Sequence, residues 1–103
     1  MIETIKKLPG PGPKNDWKAL VKNGAIIVDV RTKGEYQSGH IEGSHNIPLD
    51  SLSVLYTMIP QSRVVITCCA SGMRSASARA MLQAKGYEVY NGGGWTGLQH
   101  KLR

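Results

Sequence analysis

The sequence predicts an α/β domain: a central, mainly parallel sheet of about five strands with helices on both faces. Three observations carry this reading. Ala25–Val30 and Val64–Cys68 are continuous β-branched runs with almost no polar alternation, the pattern of strands buried on both faces. Strand-like and helix-like segments alternate with short connections. The chain of 103 residues has room for one core, since domains commonly run to about 100–150 residues.

The elements follow in order. Residues 1–13 end in Pro9-Gly10-Pro11-Gly12-Pro13, which can propagate neither a helix nor a central strand, so they read as an extended lead-in to a single domain over 14–103. Asn15 or Asp16 is placed to cap a helix whose Trp17, Leu20 and Val21 share one face, and Asn23-Gly24 ends it. The first buried strand comes next, then a short helix over 33–38 stopped by Gly39. Ser44–Ile47 is a weak strand before Pro48. Asp50 or Ser51 is placed to cap a helix reaching Thr57. After the second buried strand, 71–85 is the longest helical window, with Met73, Ala76, Ala80, Met81 and Ala84 at helical spacing. Tyr87–Tyr90 reads as a third strand, Asn91–Gly94 as a loop and Trp95–Leu102 as a last short helix.

Composition bounds the function. Hydrophobic residues make up 41% and charged residues 19%, which fits a globule and argues against disorder. Thirteen Lys+Arg against seven Asp+Glu give a formal net charge of +6. That balance favours anionic partners without choosing among them. The basic residues form no dense run and have little aromatic interleaving, so nucleic-acid binding is not supported. No stretch approaches the apolar length of a membrane span, and residues 1–7 lack the apolar run of a signal peptide. The expectation is a reduced, cytoplasmic protein without a membrane partner. Its two cysteines, Cys68 and Cys69, are adjacent. Neighbouring Cα atoms lie about 3.8 Å apart, below the roughly 4.4 Å that ordinary disulfides need, so the pair is no staple.

The chemically informative segment is Cys69-Ala70-Ser71-Gly72-Met73-Arg74-Ser75. A buried strand ends there and a helix begins. Open α/β sheets bind ligands outside the carboxyl ends of their strands. The helix start offers unpaired N–H groups and partial positive charge, Gly72 lets the backbone turn into an anion nest, and Arg74 adds a full charge. All of these favour a thiolate at Cys69. Alternation along the strand points Cys68 the other way, into the core.

This loop resembles the active-site loop of the rhodanese family, a six-residue Cys-x-x-Gly-x-Arg segment between a strand and a helix. A second block also resembles the family in order and spacing: Asp29-Val30-Arg31, Glu35-Tyr36, Gly39-His40-Ile41, Gly43-Ser44 and Asn46-Ile47-Pro48. Gly93-Gly94-Trp95 resembles the family's C-terminal Gly-Gly-Trp. The matches cover about residues 14–98. The resemblance implies a single-domain rhodanese-like fold and a sulfurtransferase. The Cys69 thiolate would take a sulfane sulfur from an anionic donor such as thiosulfate or a persulfide. Loop residues Ala70, Ser71, Gly72, Met73, Arg74 and Ser75 would hold that sulfur. A thiol or cyanide-like acceptor, or a protein sulfur carrier, would then remove it. No metal or organic cofactor is implied. The second loop position, often basic in thiosulfate-using members, is Ala70 here.

Two rival readings stay open at this level. Cysteine-dependent phosphatases and arsenate reductases also cradle an anion between strand and helix, but phosphatases use Cys-x5-Arg where this chain has Cys-x4-Arg. A non-catalytic binding module would not require the cysteine. Asp29 and Arg31 read as an ion-pair network supporting the loop, with Glu35 or His40 as further partners. His40, His45 and His100 lack metal-ligand spacing, and 92–94 lacks the dinucleotide Gly-x-Gly-x-x-Gly order. Trp95 is placed either to wall the pocket or to pack in the core.

Overall fold

The computed structural model describes residues 16–103; the lead-in and the Asn15 cap lie outside that range. Asp16 caps α1 (Trp17–Lys22), its carboxylate accepting from the Ala19 N–H at 3.1 Å. Asn23 and Gly24 turn the chain into β1 (Ile26–Asp29). Thr32 opens α2 (Lys33–Gln37) with a reciprocal capping box: its hydroxyl accepts from the Glu35 N–H, and its own N–H donates to the Glu35 carboxylate. The edge strand β2 (His45–Asn46) leads into α3 (Leu49–Leu55), which tightens into a 3₁₀ turn over Tyr56–Met58. Then come β3 (Val65–Cys69), α4 (Met73–Ala84), β4 (Val89–Gly94) and α5 (Trp95–Lys101).

The strands form one parallel sheet in the order β2-β1-β3-β4. Its two faces carry separate apolar clusters. Val28, Val30, Leu52, Val65, Cys69, Ala78, Leu82 and Val89 pack with α3 and α4 on one face. Trp17, Ile27, Ile41, Ile66, Cys68, Tyr90 and Leu98 pack with α1 and α5 on the other. Helices therefore cover both faces, as expected, and period-two alternation sends the adjacent cysteines into opposite clusters. No helix among the described residues is long and apolar enough to cross a membrane.

Four expectations need correction. The described residues form four strands rather than five. Neither Asp50 nor Ser51 caps α3. The helix starts from Pro48, which makes no side-chain cap, because the Leu49 N–H is already tied to the Val30 carbonyl and the chain coils directly after the edge strand. The buried side of α4 is Ser75, Ala78 and Leu82, while Met73 is 78% exposed and Ala76, Ala80 and Ala84 face outward. Alanines carry little preference for either side, so Leu82, the one large apolar residue of α4 that is fully buried, with Met81 beside it and the polar anchor at Ser75, sets the rotation. Finally, 91–94 belongs to β4. Thr67 pairs with Asn91 and Cys69 with Gly94, so β4 takes one extra residue across the same span of β3 and bulges there.

Candidate active site

The site lies beyond the carboxyl ends of β1 and β3, where α4 begins. Gly72 occupies the N-cap of α4 at φ 106°, a left-handed conformation that glycine adopts without steric cost. That turn folds the loop back over the cysteine. The Cys69 sulfur accepts from the Gly72 N–H at 3.0 Å and the Ser75 N–H at 3.3 Å, and lies 3.5 Å from the Ser75 hydroxyl. Cys69 is only 1% exposed, so the sulfur sits at the floor of the cradle. Burial pushes its thiol up, but the Ser75 hydroxyl and the N–H groups of Ser75, Gly72 and Ser71 together outweigh that and hold it below an ordinary thiol. Cys68 is the opposite case. Burial, reinforced by the Asp29 carboxylate, pushes its thiol far up and leaves it an inert core group.

Further residues build the cradle. The Ser75 hydroxyl lies 2.7 Å from Asn91 Oδ1, which also accepts from the Gly93 N–H at 2.9 Å. That second contact fixes the amide orientation, and the Ser75 hydroxyl proton is shared among Asn91 Oδ1, the Gly72 carbonyl and the Cys69 sulfur. The Thr67 hydroxyl donates to the Ser75 carbonyl at 2.9 Å. Gly94 lies against the loop so closely that a Cβ there would sit 2.9 Å from the Ala70 carbonyl oxygen.

Asp29 and Arg31 form a buried two-point ion pair. Arg31 Nε and Nη2 donate to the Asp29 carboxylate at 2.9 and 2.8 Å, and the remaining guanidinium bonds go to the Glu35 and Gly39 carbonyls at 3.2 and 2.7 Å. The guanidinium carbon lies 4.7 Å from the centroid of the Trp95 ring, so Trp95 covers this pair while packing against the adjoining apolar cluster. Asn46 clamps the same turn, donating to the carbonyls of Asp29 and Arg31, each at 3.0 Å. The expected side-chain partners of this network do otherwise. His40 stacks on Tyr36 with centroids 3.8 Å apart, and the Glu35 carboxylate faces Arg74. That last pair is bidentate, at 2.8 and 3.1 Å, and joins α2 to the loop. The Arg74 guanidinium, with help from the Thr32 cap, holds the Glu35 carboxyl down at about 2.

Glu35 as the partner of Arg74, Asn91 and Gly94 are the site residues that spacing alone does not assign. The capping-box pattern Thr32-x-x-Glu35 marks where the carboxylate is anchored, and the glycine run beside Asn91 marks a close approach. Neither pattern states what lies across from it. Among the described residues, no group of three or more His, Cys, Asp or Glu could hold a metal ion.

What the arrangement offers is one thiol held below its ordinary pKa under converging N–H groups. Comparison with known proteins gives the family. Residues 14–101 match the Rhodanese-like domain family. The thiosulfate sulfurtransferase GlpE of Ectopseudomonas mendocina is 37% identical over 73 residues, covering 70% of this chain and 67% of that protein. A tRNA sulfurtransferase of Thermoplasma acidophilum is 31% identical over 74 residues, 71% of this chain but 15% of that protein. The reduced CoADR-RHD of Bacillus anthracis superposes with a TM-score of 0.75 at 33% identity, over 95% of this chain and 17% of the larger one.

Proposed function

The chain belongs to the rhodanese-like domain family, which includes named sulfurtransferases, and on that premise we propose that it moves a sulfane sulfur through a persulfide on Cys69. The donor is anionic, thiosulfate or a persulfide, and the acceptor is thiophilic. The observation that carries this is the Cys69 sulfur under the N–H groups of Gly72 and Ser75, at 3.0 and 3.3 Å. The same contacts that favour the thiolate can receive the negative terminal sulfur of a persulfide.

The chemistry runs in two displacements. The Cys69 thiolate attacks the outer sulfur of the donor. The donor's bond to that sulfur breaks, and sulfite or a thiolate leaves with the electron pair. Cys69 is then a persulfide, held by the cradle. In the second step cyanide or a thiol attacks the terminal sulfur, and the Cys69 thiolate returns as the leaving group. Both bonds exchange without an external oxidant or reductant, so the cycle calls for no metal or organic cofactor. The expected setting is a reduced, cytoplasmic one, with a small donor and a thiol or protein sulfur carrier as acceptor. Phosphatase chemistry is disfavoured by the shorter Cys-x4-Arg loop and by the closure of Arg74 on Glu35 instead of over the nucleophile.

The test is sulfur transfer to cyanide, read as thiocyanate. Cys69→Ser should abolish it, and Cys68→Ser should keep most of it. A dead Cys68→Ser with an active Cys69→Ser would overturn the assignment.

A further inference from the structure

We infer that Glu35 sets the donor preference of the site: by closing on Arg74 it leaves the mouth of the Cys69 loop without net positive charge, and so matches it to a persulfide of low charge rather than to the dianion thiosulfate. This rests on the sulfurtransferase reading above and narrows it to one class of donor.

A loop that favours a dianion needs fixed cations facing the incoming group. Here the residue after the nucleophile is Ala70, the next is Ser71, and Met73 stands 78% exposed at the rim. Arg74 supplies the one side-chain cation of the loop, and its fork is occupied by both Glu35 oxygens, at 2.8 and 3.1 Å. Glu35 does not swing freely. Its Oε1 also accepts from the Thr32 N–H at 2.8 Å, and its own N–H is held by the Thr32 hydroxyl at 3.2 Å. The pair is therefore built from both ends. Arg74 also shares a shallow hollow with Asp50, a further acid.

The second cation nearby is cancelled as well. Arg31 is 4% exposed, paired with Asp29 at 2.8 Å and covered by the Trp95 ring. Two guanidinium groups thus meet two carboxylates, and the overall charge of +6 does not reach the mouth through either arginine. Among the described residues, what remains of these groups for an anion is the set of N–H groups around Cys69. They suit the single charge of a persulfide, which is also the charge that the cradle must hold after transfer. Thiosulfate brings a sulfonate besides, and among the described residues neither Arg31 nor Arg74 is free to meet it.

The step is balanced. The Cys69 thiolate attacks the outer sulfur of the persulfide anion R–S–S⁻, the S–S bond breaks, R–S⁻ leaves with the electron pair and takes up a proton from water, and Cys69 becomes the persulfide anion Cys–S–S⁻.

The experiment measures kcat/KM with thiosulfate and with the persulfide of 2-mercaptoethanol, cyanide being the acceptor, for the wild type and for Glu35→Gln. Glutamine keeps the capping-box role but removes the negative charge that faces Arg74. The wild type should favour the persulfide by about tenfold or more, and Glu35→Gln should improve thiosulfate about tenfold, mainly through KM, as releasing one charge-assisted contact would do. Ala70→Arg adds a cation at an exposed position without touching the pair and should also lower the thiosulfate KM. Equal use of both donors by the wild type, or a thiosulfate KM unmoved in both variants, would overturn the inference while leaving sulfur transfer standing. Failure of both donors to load Cys69 would overturn sulfur transfer itself, and this inference with it.

Discussion

Removing the Ser75 hydroxyl probes how the cradle acidifies Cys69. The residue is fully buried, and its oxygen lies 3.5 Å from the sulfur, 3.0 Å from the Gly72 carbonyl and 2.7 Å from Asn91 Oδ1. A hydrogen bond to a charged group is worth about 1.5–3 kcal/mol. The contact to sulfur is long and the single hydroxyl proton is shared, so the lower end applies, and about 1.4 kcal/mol is one pKa unit. Ser75→Ala leaves the backbone N–H groups in place. It should therefore raise the Cys69 titration by about one unit, back toward an ordinary thiol near 8.5.

The sign follows from the direction of the shift. The folded protein holds the Cys69 thiol below its unfolded value. Its ionisation adds stability that is present above the unfolded thiol's pKa and is lost as pH falls through the folded one. Ser75→Ala narrows that window. At a pH below both titrations the thiolate fraction, and with it the loading rate, should fall about tenfold, and the deficit should close in alkaline buffer. The assay is the rate of iodoacetamide alkylation of Cys69 against pH, with the site confirmed by peptide mass. Cys68 does not confuse the reading, because burial keeps its thiol protonated. A Cys69 titration that stays put or moves down in Ser75→Ala would refute this account.

Two further variants test the scaffold. Asp29→Ala strands the 4%-exposed Arg31 guanidinium, and removing one partner of a buried pair costs about 3–5 kcal/mol; urea unfolding should show a loss of that size, and a loss under 1 kcal/mol would contradict the role given to the pair. Gly94→Ala places a Cβ 2.9 Å from the Ala70 carbonyl oxygen, so the backbone of β4 or of the loop has to move. Overpacking of this kind costs about 1–3 kcal/mol, and transfer activity should fall by more than the loss of folded protein explains. Undiminished activity per folded molecule would show that the loop tolerates the shift.

Much of this architecture is legible in the residues. Ala25–Val30 and Val64–Cys68 read as buried strands because parallel strands covered on both faces have no polar side to alternate with. The separation of Cys68 from Cys69 follows from the strand period alone. Other features depend on what lies across space. Glu35 and Arg74 are 39 residues apart and meet only when α2 and α4 are both docked. Asn91 looks like part of a glycine loop because the bulge that carries it into the sheet is a property of strand pairing. The rotation of α4 is hidden by its alanines, which fit either side, and is fixed instead by Leu82 in the core and Ser75 at the sulfur. Arg74 reads as charge for the loop, yet its partner cancels that charge.

The most direct test of the central claim is intact-mass analysis after incubation with a sulfur donor and removal of excess reagent. The account predicts a gain of one sulfur atom, mapped to Cys69, retained in Cys68→Ser, absent in Cys69→Ser and discharged by cyanide. An added sulfur that maps to Cys68, or no added sulfur from either thiosulfate or a persulfide, would contradict it.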